Sequence, residues 1–313
     1  MWFRNLTILR VRNFRHTSEA LESMLGKQAF HSCSELELAA QGWAPPRQAG
    51  LAHTVGRQIL LHLCFEKKLL PNAVINEVVR SRAAEIEEQL GFKPGRKQMR
   101  ELKEQVIEEL IPRAFSIKST VAVWIDPVSG WLIIDSASRQ KVDAVVGMLF
   151  KCIDPLNAVT LQTALSPVAA MTGWLASDTS PAGFTVDQDA ELQKADENKA
   201  SVKFSRHVLQ AEEVARHISA GKRCTQLAMT WNDRISFVLT ENLALKRVAP
   251  LDVVKERAAS ESQSDDDLFD SDFTLMSGEL AGMLAALVES LGGERSGEEE
   301  DADIQSLTET AEA

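Results

Sequence analysis

At 313 residues the chain is long enough for one large core or two moderate ones, and 44% hydrophobic with 25% charged residues is a folded, globular composition. No apolar run approaches the about 18 residues of a membrane span, and the opening MWFRNLTILRVRNF carries Arg4, Arg10 and Arg12 without a small-residue cleavage site, which reads against a signal peptide and leads us to expect the cytoplasm. The net charge of −11 argues against a polyanion only until it is divided: from Glu261 onward 16 acids face one base, Arg295, leaving 33 bases and 29 acids in residues 1–260. A mildly basic body beside an acidic C-terminal part suits a nucleic-acid binder whose tail competes for the site, and equally a tail that only aids solubility.

Taken in chain order, Trp2–Val11 alternates apolar and polar residues as a strand does, and Ser18–Gln28 reads as a short helix capped by Ser18. Residues 41–50, rich in Gly and Pro, read as a loop. Leu51–Val55 and Gln58–Phe65 read as a hairpin about Gly56-Arg57. Pro71 opens a helix that Gly91 ends, and Lys97–Ile111 reads as a second helix on the spacing of Met99, Leu102, Val106 and Leu110. Together they predict a protruding helical hairpin.

After Pro112 come strands Thr120–Ile125 and Trp131–Ile134, then a helix from Ser138 to Lys151, an order that echoes residues 51–90. Ser166–Ala176 reads as a helix and 177–183 as a loop, while 185–200 is polar and receives no assignment. Ser201–Ser205 reads as a strand, Ala211–Ala220 as a helix, and Cys224–Trp231, Ile235–Leu239 and Leu243–Val248 as a meander. Glu256–Asp267 reads as a linker, Phe269–Leu291 as a long helix, and Glu294–Ala313 as an acidic disordered tail. The pattern predicts an α+β fold with mixed or antiparallel sheets, an N-terminal region 1–165 including the arm 71–118, a C-terminal region 166–293 and a tail 294–313.

The stretch Gly91–Lys118 holds Lys93, Arg96, Lys97, Arg100, Lys103, Arg113 and Lys118 against Glu101, Glu104, Glu108 and Glu109. Arg96, Arg100 and Lys103 share a narrow stripe at helical spacing. Cations at a helix start oppose the macrodipole by a few tenths of a kcal/mol each, and no Ser, Thr, Asp or Asn occupies the cap. Two readings stand, a solvated helix face and a basic arm that meets phosphate. Lys222 and Arg223 follow Gly221 at a helix end, where the dipole or a phosphate would explain them equally well. Phe115, between Arg113 and Lys118, reads as a core aromatic or as an exposed plug.

Catalytic signals are sparse. The chain lacks P-loop, dinucleotide-fold, zinc-protease and serine-hydrolase motifs. His16, His31, His53, His62, His207 and His217 show no metal-ligand spacing, and Cys33, Cys64, Cys152 and Cys224 are scattered as reduced thiols usually are. No cofactor or metal is expected. Asp126 and Asp135 bracket a hairpin; they read as turn caps or as a carboxylate pair for a metal-dependent nuclease. A third reading is an interaction scaffold whose basic arm meets an acidic partner.

Several segments, MWFRNLTILR, QGWAPP, LPNAVINE, LIPRAFS with WIDPVSGWLIIDSAS, AGKRCTQLAMTWNDRISFVL and FDSDFTLMSGELAGML, occur collinearly over about residues 1–294 and resemble the RdgC family of bacterial recombination-associated proteins. The resemblance implies a nucleoid-associated, non-enzymatic protein that binds double-stranded DNA without sequence preference, and single-stranded DNA more weakly. It further implies a closed ring-shaped homodimer around the duplex that restrains the recombinase RecA in homologous recombination and replication. In the family one dimer contact involves the PRAF end, which puts Phe115 at an openable gate. A second, hinge contact matches Arg206 and His207, where the family has Lys and Gln-like residues. The tail beyond Glu294 departs from the family pattern.

Overall fold

The computed structural model describes residues 2–48, 50–196, 199–207, 209–259 and 265–295, with backbone alone at 257–259 and 265–267. The first half contains β1 (Leu6–Arg12), α1 (Ser18–Gly26), β2 (Ala39–Ala44), β3 (Ala52–Val55), β4 (Gln58–Lys68), α2 (Asn72–Leu90), α3 (Arg96–Leu110), a 3-10 turn at Ile111–Arg113, β5 (Ser116–Asp126), β6 (Trp131–Asp135), α4 (Arg139–Cys152) and β7 (Asn157–Thr160). The second contains α5 (Pro167–Ser177), β8 (Phe184–Lys194), β9 (Ser201–Phe204), α6 (Ala211–Ser219), β10 (Lys222–Trp231), β11 (Ile235–Thr240), β12 (Leu245–Pro250), α7 (Asp252–Ala259) and α8 (Asp265–Ser290). The α+β class expected from the sequence is what forms.

Side-chain caps start several helices. Ser138 and Ser166 accept from the N–H three residues on, opening α4 and α5. For α1 the cap is Thr17, one residue before the expected Ser18, because its hydroxyl accepts from Ala20 N at 3.2 Å. Pro71 is the extended cap of α2 rather than its first helical residue.

The strands form one antiparallel sheet in the order β2-β4-β5-β6-β1-β12-β11-β10-β8-β9, with β3 also on β4 and β7 also on β1. Its halves meet at β1 and β12 through one registered pair, Leu6 opposite Leu245, and a hydrogen bond from Val248 N to Arg4 O at 2.9 Å. Period-two alternation gives the first half two buried faces. Leu9, Leu61, Val123 and Leu132 pack under α1 and α4, where the indole of Trp43 donates to Cys152 Sγ at 3.3 Å. Leu6, Leu60, Trp124 and Ile133 face the other way and share a core with Leu227, Phe237, Leu239 and Leu245 of the second half.

Helix α8 covers that shared core. Phe273, Met276, Leu280, Met283, Leu284 and Leu287 are buried at helical spacing. Asp270 at its start meets His53 of β3 at 2.9 Å, and Glu279 in its middle is paired with Arg234 beside β11. The helix is thus fastened to both halves of the sheet.

A polar clamp fixes the segment before β2. Buried Lys68 donates to Ser34 O and Glu35 O at 2.8 and 2.9 Å, and buried Glu66 accepts from Cys33 N at 3.0 Å. A hydrogen bond from Ser116, then that from Cys33 N, holds the Glu66 carboxyl below its ordinary pKa. The backbone of Phe30 lies so close to β2 that a Cβ on Gly42 would stand 2.5 Å from Phe30 Cα, so only glycine fits there.

Several sequence expectations change. Residues 41–50 contain the end of β2, and 185–200 contain most of β8, whose apolar positions Phe184, Val186, Ala190 and Leu192 alternate with acids on its other face. The expected linker 256–267 overlaps the ends of α7 and α8. Glu294 and Arg295 are ordered: Glu294 bridges to Thr163 and ion-pairs with Arg10 at 3.0 Å, and Arg295 N donates to Gln162 O. The rest of the expected tail lies outside the described residues. The echo between 51–90 and 120–151 stops at element order, since α4 packs on the sheet and α2 packs on α3. All four cysteines are free, with Cys33 half-buried and the others buried.

His62 of β4 is half-buried, and its buried Nε2 has no hydrogen-bond partner among the described residues. Burial lowers its pKa from 6.5 to about 4. Between those values the unfolded chain takes up a proton that the folded chain refuses, so stability is full above about pH 6.5 and falls as the pH drops toward 4. His62→Leu is expected to flatten this part of the pH profile by roughly 2–3 kcal/mol. Urea unfolding of both proteins at pH 7 and pH 4.5 measures it, and equal losses in the two would rule out the assignment.

Candidate nucleic-acid interface

The basic stretch is built on α2 and α3, which have a small core of their own. Ile75 and Val79 of α2 and Leu102 and Val106 of α3 are buried between the helices, and Arg82 forms a two-pronged ion pair with Glu109. That pair raises the Arg82 pKa and lowers that of Glu109. Gly91 ends α2 in the left-handed region at φ 78°. Gly95 caps α3, where the amide of Gln98 reaches back to accept from Gly95 N at 3.0 Å. Helix α3 starts one residue earlier than expected, at Arg96.

Lys93, Arg96, Lys97, Arg100 and Lys103 are all exposed. Lys97 stands 3.9 Å from Glu101 and Arg100 3.1 Å from Glu104, both i,i+4 pairs. With the base on the N-terminal side, such exposed pairs contribute at most about 0.5 kcal/mol. A phosphate can replace these partners. Between Gly91 and Arg100 the chain contains four cations and no acid.

Strand register relates these residues to the others. The α2–α3 pair leaves the sheet after Lys68 and returns at Ser116, which are paired with each other. Following the five antiparallel pairings from β5 through β6, β1, β12 and β11 to β10 puts the start of β5 level with the end of β6 and the start of β1, and the start of β10 at the opposite end of the strands. Arg113 and Lys118 therefore lie on the rim at the base of the helix pair, whereas Lys222 and Arg223, the first residues of β10, lie at the other end of the strands. Arg4, before β1, and Arg139, after β6, are exposed on the same rim as Arg113 and Lys118. Sequence reading missed both, because lone arginines separated by more than a hundred residues carry no local signal. Asp143 and Glu241 line one pocket with Arg139.

Not every one of these cations is unengaged. Lys118 donates to Ser32 Oγ at 2.9 Å and lies 5.1 Å from the Phe30 ring centroid. The Lys222 ammonium is 2.9 Å from His217 Nδ1. Both open or lie near the start of strands, so the expected position of Lys222 and Arg223 at a helix end becomes the first two residues of β10.

Phe115, of the two readings left open, is exposed, at 84%. Its carbonyl accepts from Leu69 N at 2.6 Å, which fixes it at the base of the helix pair. Beside it runs a groove of about 710 Å³ lined by Phe65, Leu69, Ile117 and Ala144. Arg206 and His207 follow β9 at the far edge of the sheet. Arg206 has φ 52°, and its N–H donates to Asp189 Oδ1 at 2.8 Å; the His207 ring lies 6.2 Å from that of Phe204. Seven strand spacings, roughly 34 Å along the sheet, separate β5 from β9.

The two aspartates are not brought together. Asp126 pairs with Trp131 at one end of β6 and Asp135 is at the other, roughly 13 Å along the strand. Asp126 accepts from Val128 N and Ser129 N as a turn cap, and Asp135 from Arg4 N and Asn5 N. Burial raises the Asp135 pKa against the pull of those hydrogen bonds. Both carboxylates are engaged in local backbone structure.

Residues 1–294 match the family model described as "Putative exonuclease, RdgC". The chain is 60% identical to a protein of Cupriavidus pinatubonensis over 94% of its own length and 99% of that protein's. It is 58% identical to one of Herminiimonas arsenicoxydans and 54% identical to one of Bordetella pertussis, with the same shares of both chains covered. Each of the three is named "Recombination-associated protein RdgC". With a family match along nearly all of its length and relatives of this identity, the chain belongs to the RdgC family.

Proposed function

We propose that this protein binds double-stranded DNA without sequence preference and acts in recombination, as the names of its relatives suggest. The observation that carries this reading is the acid-free run Gly91–Arg100, whose four exposed cations extend a rim bearing Arg4, Arg113, Lys118 and Arg139. Lysine and arginine aimed at phosphate supply affinity without reading bases. Sheet twist of about 20–25° per strand carries this rim around an arc rather than along a line, as a surface following a duplex requires.

The helix pair then serves as a protruding arm, and two copies close a ring around the duplex. A two-subunit ring needs two separate self-complementary contacts. Phe115 with its adjoining apolar groove at one end, and Arg206 with His207 at the other, are the pair of surfaces that suits it. DNA held in this way is withheld from RecA, which is how such a protein would restrain recombination within the nucleoid.

The family description names an exonuclease. Asp126 and Asp135 are each tied into their own turn and lie far apart, which favours a binding role without hydrolysis.

Fluorescence anisotropy over a salt series is expected to show affinity falling linearly on a log–log plot for duplexes of unrelated sequence, with the DNA recovered uncut in the presence of Mg²⁺. Salt-independent or single-sequence binding, or cleavage, would contradict the reading. Replacing Arg96, Arg100 and Lys103 together by Glu is expected to weaken binding by about ten-fold or more and to flatten the salt slope by up to about 3. The melting temperature should barely move, since all three side chains are exposed.

Phe115→Ala is expected to loosen the dimer, because burying this side chain contributes about 1.5–3 kcal/mol. Sedimentation equilibrium reads the dissociation constant, and an unchanged value would remove Phe115 from the contact. Residues 296–313 carry seven acids and no base. Their deletion is expected to tighten DNA binding at low salt and to lose that effect at high salt, where a passive tail would give no change at either.

A further inference from the structure

The turn between α2 and α3 presents more than charge. Phe92 is 58% exposed and Leu90 53% exposed, beside the left-handed Gly91. Lys93, Arg96 and Lys97 surround them, all exposed. Single exposed apolar residues are ordinary on protein surfaces. An aromatic ring at the tip of two mutually packed helices, inside a run with four cations and no acid, is a narrower arrangement. Helix α2 has 19 residues, so the turn stands roughly 28 Å of helix from the rim that the DNA reading above uses. The cations of the turn can serve either DNA, and the Phe92 ring, far from the rim, is the surface that the duplex reading does not use.

We propose that Phe92 is a base-stacking residue and that the α2–α3 turn is a site for unpaired nucleotides, as in a single-stranded stretch adjoining duplex. The aromatic face supplies the stacking surface, and Lys93, Arg96 and Lys97 hold the flanking phosphates. Unpaired bases suit the site better than a paired step. A wedge driven into a duplex must first unstack it at a cost of a few kcal/mol, recovered by wrapping protein surface. This turn is small and has little surface to wrap, whereas an unpaired base offers its face without that penalty. The inference rests on the DNA-binding reading and adds to it a site and a residue for the unpaired bases.

The test uses the full chain, a dT20 oligonucleotide and a 20-base-pair duplex, with affinities read by anisotropy. Phe92→Ala is expected to weaken dT20 binding by about ten-fold, within the range for loss of one base stack, while duplex affinity changes less than about two-fold. Phe92→Trp should retain dT20 binding, with its added indole emission quenched by dT20 and not by the duplex. Wild-type affinity of Phe92→Ala for both DNAs would overturn the stacking site and leave duplex binding standing. A loss confined to the duplex, or equal on both, would overturn the preference for unpaired bases. Wild-type protein that binds neither DNA would overturn the DNA reading itself.

Discussion

Burial of one face of α8 across the junction of β1 and β12 is the interaction on which the rest of the molecule depends. The backbone link there is thin, with a single registered pair at Leu6 and Leu245. The helix supplies what the strands lack: Leu280, Met283, Leu284 and Leu287 lie in a core shared by Phe3, Trp124 and Ile133 on one side and Phe237 and Leu245 on the other. Each fully buried side chain of this size contributes about 1.5–3 kcal/mol. The ion pairs at Asp270 and Glu279 set where the helix sits along the sheet; the apolar stripe holds it there.

A continuous sheet has functional consequences, because its strand ends make a rim. Arg4, Arg113, Lys118 and Arg139, far apart in the chain, come to share one edge through the β5–β6–β1 pairings. The same continuity puts Phe115 and Arg206 near opposite ends of the strand order. The proposed ring thus rests on the joined sheet, and disruption of the α8 core would disturb it.

The α2–α3 pair follows a different logic. It is inserted between two strands that pair directly, so Lys68 and Ser116 stay in register however the helices behave. Its core of Ile75, Val79, Leu102 and Val106 is separate from the main clusters. Cations at the start of α3 oppose the helix dipole, and their i,i+4 partners are exposed and weak. These choices lower local stability slightly and leave positive charge and an aromatic ring available at the turn.

Much of this was legible in the chain. The spacing of Met99, Leu102, Val106 and Leu110 determined α3, Gly91 the end of α2, and the short apolar runs of β4, β5 and β6 their existence as strands, because these signals are local and strong. The exposed cations of Gly91–Arg100 were legible for the same reason. Strand β8 was not, although its apolar residues alternate, because Asp187, Asp189 and Glu191 on its open face lower strand propensity and neighbouring β10 supplies the pairing. Nor could local pattern decide whether Phe115 was core or surface, that Lys118 would rest on Phe30, or that Asp126 and Asp135 would stay apart. Those outcomes follow from register between strands distant in sequence. The sequence by itself therefore determined the helices, the charge distribution and the family; tertiary pairing alone decided which charges share a rim and which hydrophobes stay exposed.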